Sequence, residues 1–456
     1  MAKTKTQFVC NACGTPSPRW LGRCAQCNEW GTLVEEIVSA APARAGASIG
    51  REPPKATKLS DVSADLAARL PTGIAELDRV LGGGPVLGGV VLVGGDPGIG
   101  KSTLFMQALA GLAASGARSL YVTGEESAAQ VALRAERLGC PGVQDMLVLA
   151  TTELEDVLRA IEEQSPAALV LDSIQTIRTT ALESAAGSVA QLREVTVRLI
   201  DVAKARGIAL FLIGHVTKDG ALAGPKVLEH LVDTVVAFEG DKTHTFRIVR
   251  ATKNRFGPAQ EMGVFEMARD GLREVADPSA LFLAERLARA AGSVVVPTAE
   301  GSRPLLVEVQ ALVAPAVYGA ARRVATGLDP NRLSILLAVL ERKAEIHVLD
   351  RDVFASVAGG ARVDDTALDL ALAVAIVSSL RDRAVASDLV VFGEVGLAGE
   401  VRAVPRAGLR LAEARKLGFT RAIVPRGNAE RLTPEERAGI EVISVATLDD
   451  ALQAAL

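Results

Sequence analysis

One segment limits the possible folds of this chain more than any other. Residues 95–102 (GDPGIGKS) match the phosphate-binding pattern GxxxxGK[ST] in full, after the apolar run GVVLVG and before the run STLFMQALAGLAA. A strand, a glycine loop and a helix in this order let backbone N–H groups surround phosphates at the N-terminus of the helix. The sequence therefore predicts an α/β fold with a site for ATP or ADP, in which Lys101 reaches the β and γ phosphates.

Two more strand ends carry acids that suit the chemistry of this site. The strand Ala168–Asp172 ends in a carboxylate that is expected to hold Mg²⁺ together with Ser102, although by itself such an acid could cap a turn. In the run SLYVTGEES, Glu125 or Glu126 could polarise the attacking water while the other begins the next helix, and we favour Glu125 as the catalytic acid. The expected nucleotide ligands are Gly95, Asp96, Pro97, Gly98, Ile99, Gly100, Lys101, Ser102, Thr103 and Asp172.

The pattern of strands and helices divides the chain into segments. From residue 59 to 276, short runs such as AALVLDS and IALFLIGH alternate with helical stretches, which predicts a mostly parallel sheet buried on both faces. Residues 277–456 are expected to form a second α/β domain, 37–58 a linker, and 1–36 a small cysteine-bearing domain. With 49% apolar residues and a net charge of −4, the chain can bury cores but has no general cationic coat, so nucleic acid would bind local basic patches.

Four of the five cysteines lie in two CxxC pairs near the N-terminus. Two such turns offer four thiolates to one ion, which favours a structural, tetrahedral Zn²⁺ over disulfides or buried free thiols. Trp20 and Trp30 flank the second pair, and we expect them to pack over this zinc knuckle rather than to stack on bases. No signal peptide or apolar membrane span is visible, so we expect a cytoplasmic protein without membrane contact. The expected zinc ligands are Cys10, Cys13, Cys24 and Cys27.

Several basic segments could bind an anion. Residues 242–258 contain five Lys or Arg residues and no acid, with KNRFG (253–257) at the centre, so we expect a DNA phosphate or a neighbour's nucleotide there; a solvated basic face is the alternative. His215 follows a strand and could sense the γ-phosphate or be an ordinary strand-end histidine. Seven basic residues in the segment 402–426 accompany a single acid, Glu413, which suggests a DNA-binding or ring-forming surface.

The zinc knuckle, the run LPTGIAELD (70–78), the phosphate-binding loop and the pentapeptide KNRFG together resemble the RadA (Sms) family of bacterial RecA-related DNA repair ATPases. The resemblance covers nearly the whole chain. It implies a RecA-like ATPase core and a C-terminal domain similar to the Lon protease domain. It also implies a homo-oligomer, a hexameric ring, that binds single-stranded and branched DNA and drives branch migration in recombination.

The resemblance extends to individual residues and partners. It implies that Lys253 and Arg255 reach a neighbouring subunit's ATP, or couple ATP to DNA, and so count with Lys101 and Glu125 as catalytic residues. It implies a DNA phosphate contact at Lys226 and, as protein partners, the RecA recombinase and a replicative helicase.

The C-terminal domain departs from a working Lon-type peptidase, which uses a serine activated by a lysine. Residues 364–367 (DDTA) occupy the place where such a serine is expected, and the only lysines after residue 276 are Lys343 and Lys416. We therefore expect a DNA-dependent ATPase of the helicase type and not a peptidase. An ATP-dependent peptidase and a RecA-type ATP switch without motor activity are the alternative functions.

Overall fold

The computed structural model describes residues 5–10, 16–26, 28–38, 58, 68–214, 227–239, 246–287, 290–316, 319, 321–360 and 362–456. The chain divides into two units, which we describe separately. The first comprises Met1–Phe238 and Val249–Glu274, and the second Glu239–Ile248 and Val275–Leu456. Among the helices of the described residues, none combines the length and the apolar character needed to cross a bilayer.

Three short strands open the first unit: β1 (Lys5–Cys10), β2 (Pro16–Ser17) and β3 (Leu33–Val38). They form an antiparallel sheet in the order β2-β1-β3. Its small core contains Cys10, Cys24 and Leu33, against which Phe8 and Leu21 pack. A segment with so few apolar residues cannot bury enough surface to fold without a further stabilising element.

A nine-stranded sheet with flanking helices, which lies mostly in the first unit, has the strand order β12-β11-β10-β9-β4-β8-β7-β5-β6. Its strands are β4 (Val90–Gly94), β5 (Ser119–Thr123), β6 (Leu147–Ala150), β7 (Ala168–Asp172), β8 (Ala209–Ile213), β9 (Thr234–Glu239), β10 (Phe246–Asn254), β11 (Met262–Ala268) and β12 (Gly271–Glu274). Its helices are α1 (Ala75–Val80), α2 (Lys101–Ala114), α3 (Ala128–Leu138), α4 (Leu154–Gln164), α5 (Val189–Arg206) and α6 (Val227–Leu231).

The six strands from β9 to β6 in this order pair in parallel. Every residue of β4, β5, β7 and β8 is buried, because one apolar core covers each face of the sheet. This confirms the prediction of a mostly parallel sheet with both faces covered. The apolar runs lack polar–apolar alternation for the same reason.

The second unit is built on a seven-stranded sheet in the order β15-β16-β14-β13-β17-β20-β21, with a separate β18-β19 pair. The strands are β13 (Ser293–Glu300), β14 (Arg303–Pro315), β15 (Arg323–Thr326), β16 (Arg351–Val357), β17 (Leu389–Val391), β18 (Glu394–Val395), β19 (Val401–Arg402), β20 (Arg421–Pro425) and β21 (Glu441–Val445). The helices are α7 (Pro278–Leu283), α8 (Pro330–Lys343), α9 (Leu368–Arg381), α10 (Ala407–Lys416), α11 (Arg426–Ala429), α12 (Pro434–Arg437) and α13 (Leu448–Ala455).

The structure bears on two expectations about side chains. Trp20 and Trp30, expected to pack over the zinc knuckle, are 59% and 74% exposed, so the described part of the knuckle leaves most of both side chains uncovered. In the basic segment 402–426, Arg410 is 1% exposed and pairs with Asp365 inside the second unit. Arg421 pairs with Asp388, and Lys416 with Asp277, so acids from distant parts of the chain neutralise much of the expected cationic surface.

Candidate nucleotide-binding site

The phosphate-binding loop connects β4 to α2. Three of its glycines have φ values in the left-handed region that favours glycine: +147° at Gly95, +78° at Gly98 and +116° at Gly100. A β-carbon at Gly95 would also lie 2.7 Å from Cβ of Phe238 on β9. Helix α2 then begins at Lys101 without an acid in its first turn, so its N-terminal N–H groups face the loop with no competing carboxylate from that turn.

The side chain of Lys101 lies inside this loop. Only 4% of the residue is exposed, and Nζ donates to the carbonyl oxygens of Gly95 at 2.6 Å and Asp96 at 2.9 Å. Residues 96–98, in contrast, are exposed. A buried ammonium group beside an exposed glycine loop at a helix N-terminus fits a polyphosphate, because both the cation and the helix end attract anions.

Sheet register brings the acidic residues to the same edge as the loop. Val93 of β4 is opposite Ile213, Ile213 is opposite Asp172 of β7, and Asp172 is opposite Thr123 of β5. Asp172 therefore lies two strands, or about 10 Å, from the end of β4. Carboxyl ends of parallel strands are where open α/β sheets bind ligands.

The two candidate acids after β5 have different partners. Glu126 forms an ion pair with Arg134 at 2.9 Å. Glu125 is exposed, and its Oε1 accepts a hydrogen bond from Ser173 Oγ at 2.5 Å. Because Ser173 directly follows Asp172, this hydrogen bond links Glu125 to the strand end that carries the expected Mg²⁺ ligand.

A buried tyrosine, which the sequence analysis did not identify, lies behind Asp172. Tyr121 donates its hydroxyl hydrogen to Asp172 Oδ2 at 2.5 Å and accepts a hydrogen bond from Arg134 at 2.8 Å. Burial, followed by the neighbouring charge of Asp172, raises the pKa of Tyr121 far above its ordinary value, so the phenol stays protonated. In the sequence, the only feature that could have indicated this contact with Asp172 is the position of Tyr121 on β5, two residues before the strand ends.

The pentapeptide KNRFG lies near the amino end of β4, whereas the phosphate-binding loop follows its carboxyl end. Arg255 Nη1 contacts Asp233 Oδ1 at 3.1 Å, and Oδ2 of the same carboxylate accepts from the backbone N–H of Val90, the first residue of β4. The loop, in contrast, follows Gly94, the last residue of β4. Four residue steps along a strand span about 13 Å, so Arg255 and the phosphate-binding loop of the same chain lie at different ends of β4.

Lys253 and Arg255 differ in how they are held. Lys253 Nζ donates to the carbonyl oxygens of Glu229 at 2.6 Å and Val232 at 2.8 Å, and thereby caps the end of α6. Burial, with a further contribution from the charge of Arg255, lowers the pKa of Lys253. The Arg255 side chain is 51% exposed, so its guanidinium can contact another molecule while it pairs with Asp233.

The described part of the cysteine segment fits a thiolate-bound metal. Cys10 and Cys24 are both buried in one small core, and Cys10 Sγ lies 3.1 Å from Thr32 Oγ1. Soft sulfur donors gathered in a core too small to fold unaided suit Zn²⁺. Cys13 and Cys27 lie outside the described residues, as do His215 and Lys226. Within the described residues, no group of three metal-ligating side chains comes together.

In the second unit, a buried ion pair includes Asp365, which lies in the segment 364–367 where a Lon-type serine is expected. Arg410 Nη1 donates to Asp365 Oδ2 at 2.7 Å, immediately before α9, and also to the carbonyl oxygen of Pro297 at 2.6 Å. Burial opposes ionisation of Asp365, but hydrogen bonds from Arg410 and backbone N–H groups keep its pKa below the ordinary value. Lys416 is 53% exposed and bound to Asp277.

Comparison with known proteins places these features in a family. Residues 8–35 match a rubredoxin metal-binding domain, residues 70–146 the ATPase KaiC, and residues 337–428 the ChlI subunit of Mg-chelatase. The chain is 53% identical to the DNA repair protein RadA of Pseudomonas aeruginosa, with 100% of this chain and 99% of the relative covered. The RadA of Bacillus subtilis is 48% identical, with 100% of both chains covered. The RadA of Escherichia coli is 50% identical, with 99% of both covered.

The chain belongs to the RadA family. Its fold class is accordingly an N-terminal zinc ribbon, a RecA-like ATPase domain and a C-terminal ChlI- or Lon-like α/β domain, as predicted. It is an ATPase of a DNA repair family, and the phosphate-binding loop lies within the segment that matches KaiC.

Proposed function

We propose that this chain is a DNA-dependent ATPase motor, located in the cytoplasm, that binds single-stranded DNA and drives branch migration of recombination intermediates. The observation that carries the proposal is the assembly of Lys101, Asp172 and Glu125 at one edge of a sheet in a RadA-family chain. We also propose the domain boundaries 1–36, 37–58, 59–276 and 277–456.

At the nucleotide, each side chain has a role that follows from its place. The backbone N–H groups of residues 95–103, except Pro97, which has none, and the Lys101 ammonium bind the phosphates of ATP or ADP. Ser102 and Asp172 hold Mg²⁺, which neutralises phosphate charge when it is bound. Glu125 orients the attacking water, because it is exposed and linked to Ser173, whereas Glu126 is paired with Arg134.

Contact of KNRFG with ATP requires a second copy of the chain. The motif and the loop lie at opposite ends of β4, about 13 Å apart along the strand. A head-to-tail arrangement of copies would place the Arg255 edge of one subunit against the loop edge of the next, and such contacts close into rings. This supports a homo-oligomeric ring, and we propose a hexamer in which Arg255 acts on the neighbour's ATP.

Zinc at the N-terminal ribbon completes the proposed cofactors. Cys10, Cys13, Cys24 and Cys27 would hold one Zn²⁺ and thereby fold the ribbon. A chelator that is able to remove zinc should release about one ion per chain and unfold this segment. A ribbon that stays folded without metal would contradict this assignment.

The experiment follows a branched three-strand DNA with ATP and Mg²⁺, comparing wild type with Lys101→Ala. Wild type should resolve the junction, and Lys101→Ala should lose ATP turnover by roughly 100-fold or more, because a preorganised cation that faces the transferred phosphoryl group is gone. DNA binding by both proteins, measured separately, controls for folding.

Two other results would point to the alternative functions. ATP turnover that ignores DNA, with no movement of the junction even when the RecA recombinase is added, would favour an ATP switch and contradict the motor. Casein degradation or labelling by a serine-reactive probe would favour the peptidase. A replicative helicase is the other proposed protein partner, and its addition is a further arm of the same assay.

A further inference from the structure

The chain has two tryptophans, and both lie exposed on the N-terminal ribbon. Their exposed fractions of 59% and 74% are unusual, because large aromatic side chains contribute most stability when they are buried. The ribbon core is already filled by Cys10, Cys24 and Leu33 with their apolar neighbours. Packing inside the described part of the ribbon therefore does not explain the two indole rings.

The backbone holds the two rings side by side. A β-carbon at Gly22 would lie 3.6 Å from the ring of Trp30 and 3.9 Å from that of Trp20, so the rings converge over this glycine. Gly31 N–H donates to the Gly22 carbonyl oxygen at 2.9 Å, and Trp30 pairs with Arg23 in an antiparallel bridge. The rings are thus presented by a defined turn.

A cation accompanies the aromatic surface. The guanidinium of Arg23 lies over the Trp30 ring at 5.7 Å from its centroid, and Nε donates to the Asn28 carbonyl oxygen at 2.7 Å. Arg19 is exposed beside Trp20. The segment 16–33 has Glu29 as its single acid, so the surface around the rings is weakly positive.

We propose that Trp20 and Trp30 form a stacking platform for the bases of single-stranded DNA, with Arg19 and Arg23 contacting its phosphates. Exposed indole faces beside guanidinium groups suit a flexible strand, because every base offers a π-face and every nucleotide carries a phosphate. Binding should therefore show little sequence preference. This inference rests on the proposed function, to which it adds a second DNA contact outside the ATPase domain.

Because the chain has no other tryptophan, its tryptophan fluorescence, excited at a wavelength that the two tyrosines do not absorb, reports on this surface alone. Oligo-dT titrated into the zinc-loaded, full-length protein should quench that fluorescence at the concentrations at which a labelled oligo-dT binds. Trp30→Ala should weaken DNA affinity by roughly 5-fold to 100-fold, and Trp30→Phe should retain most of it. Arg23→Gln should reduce the dependence of log affinity on log salt by about 0.7.

Leu397→Ala is the matched control, because Leu397 is 71% exposed but lies in the second unit. Its DNA affinity should equal that of wild type, and zinc content checks that each ribbon variant is folded. If DNA binds without quenching and Trp30→Ala binds as well as wild type, the platform is wrong while the proposed function stands. If wild type binds no single-stranded DNA, the stacking platform and the proposed function are both wrong. If Trp30→Ala loses only the binding of a protein partner, the surface recognises protein and the inference is overturned.

Discussion

The two ends of β4 carry charged groups in opposite arrangements. At the carboxyl end, Lys101 donates to carbonyl oxygens of its own loop, next to exposed residues and the exposed Glu125. At the other end, the carboxylate of Asp233 is buried and binds both Arg255 and the first N–H of β4. The first arrangement is open to a ligand, and the second stabilises the sheet while it leaves half of Arg255 exposed.

This difference distinguishes Lys253 from Arg255, to which the sequence analysis assigned the same role. Lys253 and Arg255 stand two positions apart in one motif, and we predicted a shared role for both. Lys253 binds two backbone carbonyl oxygens, whereas Arg255 has an exposed guanidinium. We therefore expect Arg255 to act on the neighbour's nucleotide and Lys253 to hold α6 in place.

Arg255→Gln should give the largest effect of the three variants that test this comparison. Glutamine keeps a donor for Asp233 but removes the positive charge, so ATP turnover should fall by roughly 10³-fold, within the range for an arginine supplied in trans. Steady-state ATPase assays measure this, and thermal unfolding serves as the folding control. Turnover within a few-fold of wild type would remove Arg255 from the site.

Lys253→Met tests the structural role of the neighbouring cation. Methionine preserves length and apolar packing but leaves the carbonyl oxygens of Glu229 and Val232 without this donor. We expect the free energy of unfolding to fall by roughly 1–3 kcal/mol, measured by denaturant titration. A variant with wild-type stability and no ATPase activity would contradict this role and give Lys253 a direct place at the nucleotide.

Tyr121→Phe should have the smallest effect and tests the carboxyl end. It removes the donor to Asp172 while it keeps the ring, so the free energy of unfolding should fall by about 1 kcal/mol. A carboxylate without this support is less well oriented, and the Mg²⁺ concentration for half-maximal turnover should rise several-fold. Nucleotide binding without Mg²⁺ should not change. Lost stability with an unaltered Mg²⁺ dependence would show that Tyr121 is only part of the core.

The main elements of the ATPase domain could be predicted because their signals are local. The loop 95–102 has its glycines where the backbone needs them, and the strand predicted at Ala168–Asp172 is β7. The helical stretches expected after β4 and β5 are α2 and α3. The expected roles of these residues in catalysis remain predictions.

Long-range pairs account for what the sequence analysis missed. Nothing near Arg410 indicates that Asp365, 45 positions away, neutralises it inside the second unit. The link from Tyr121 to Asp172 joins residues 51 positions apart. The exposure of both tryptophans likewise depends on a core that cysteines and a leucine fill. Pairing across a fold depends on topology, which composition and spacing do not specify.

The most direct test of the proposal that Arg255 acts across a subunit interface is ATP turnover by mixed oligomers of Lys101→Ala and Arg255→Gln. Each variant alone should be nearly inactive. After subunit exchange at equal amounts, about one quarter of the interfaces combine an intact loop with an intact Arg255, so activity should return in proportion. Wild type mixed with Lys101→Ala shows that exchange has occurred. If the mixture stays as inactive as its components after proven exchange, Arg255 does not act on the neighbour's nucleotide.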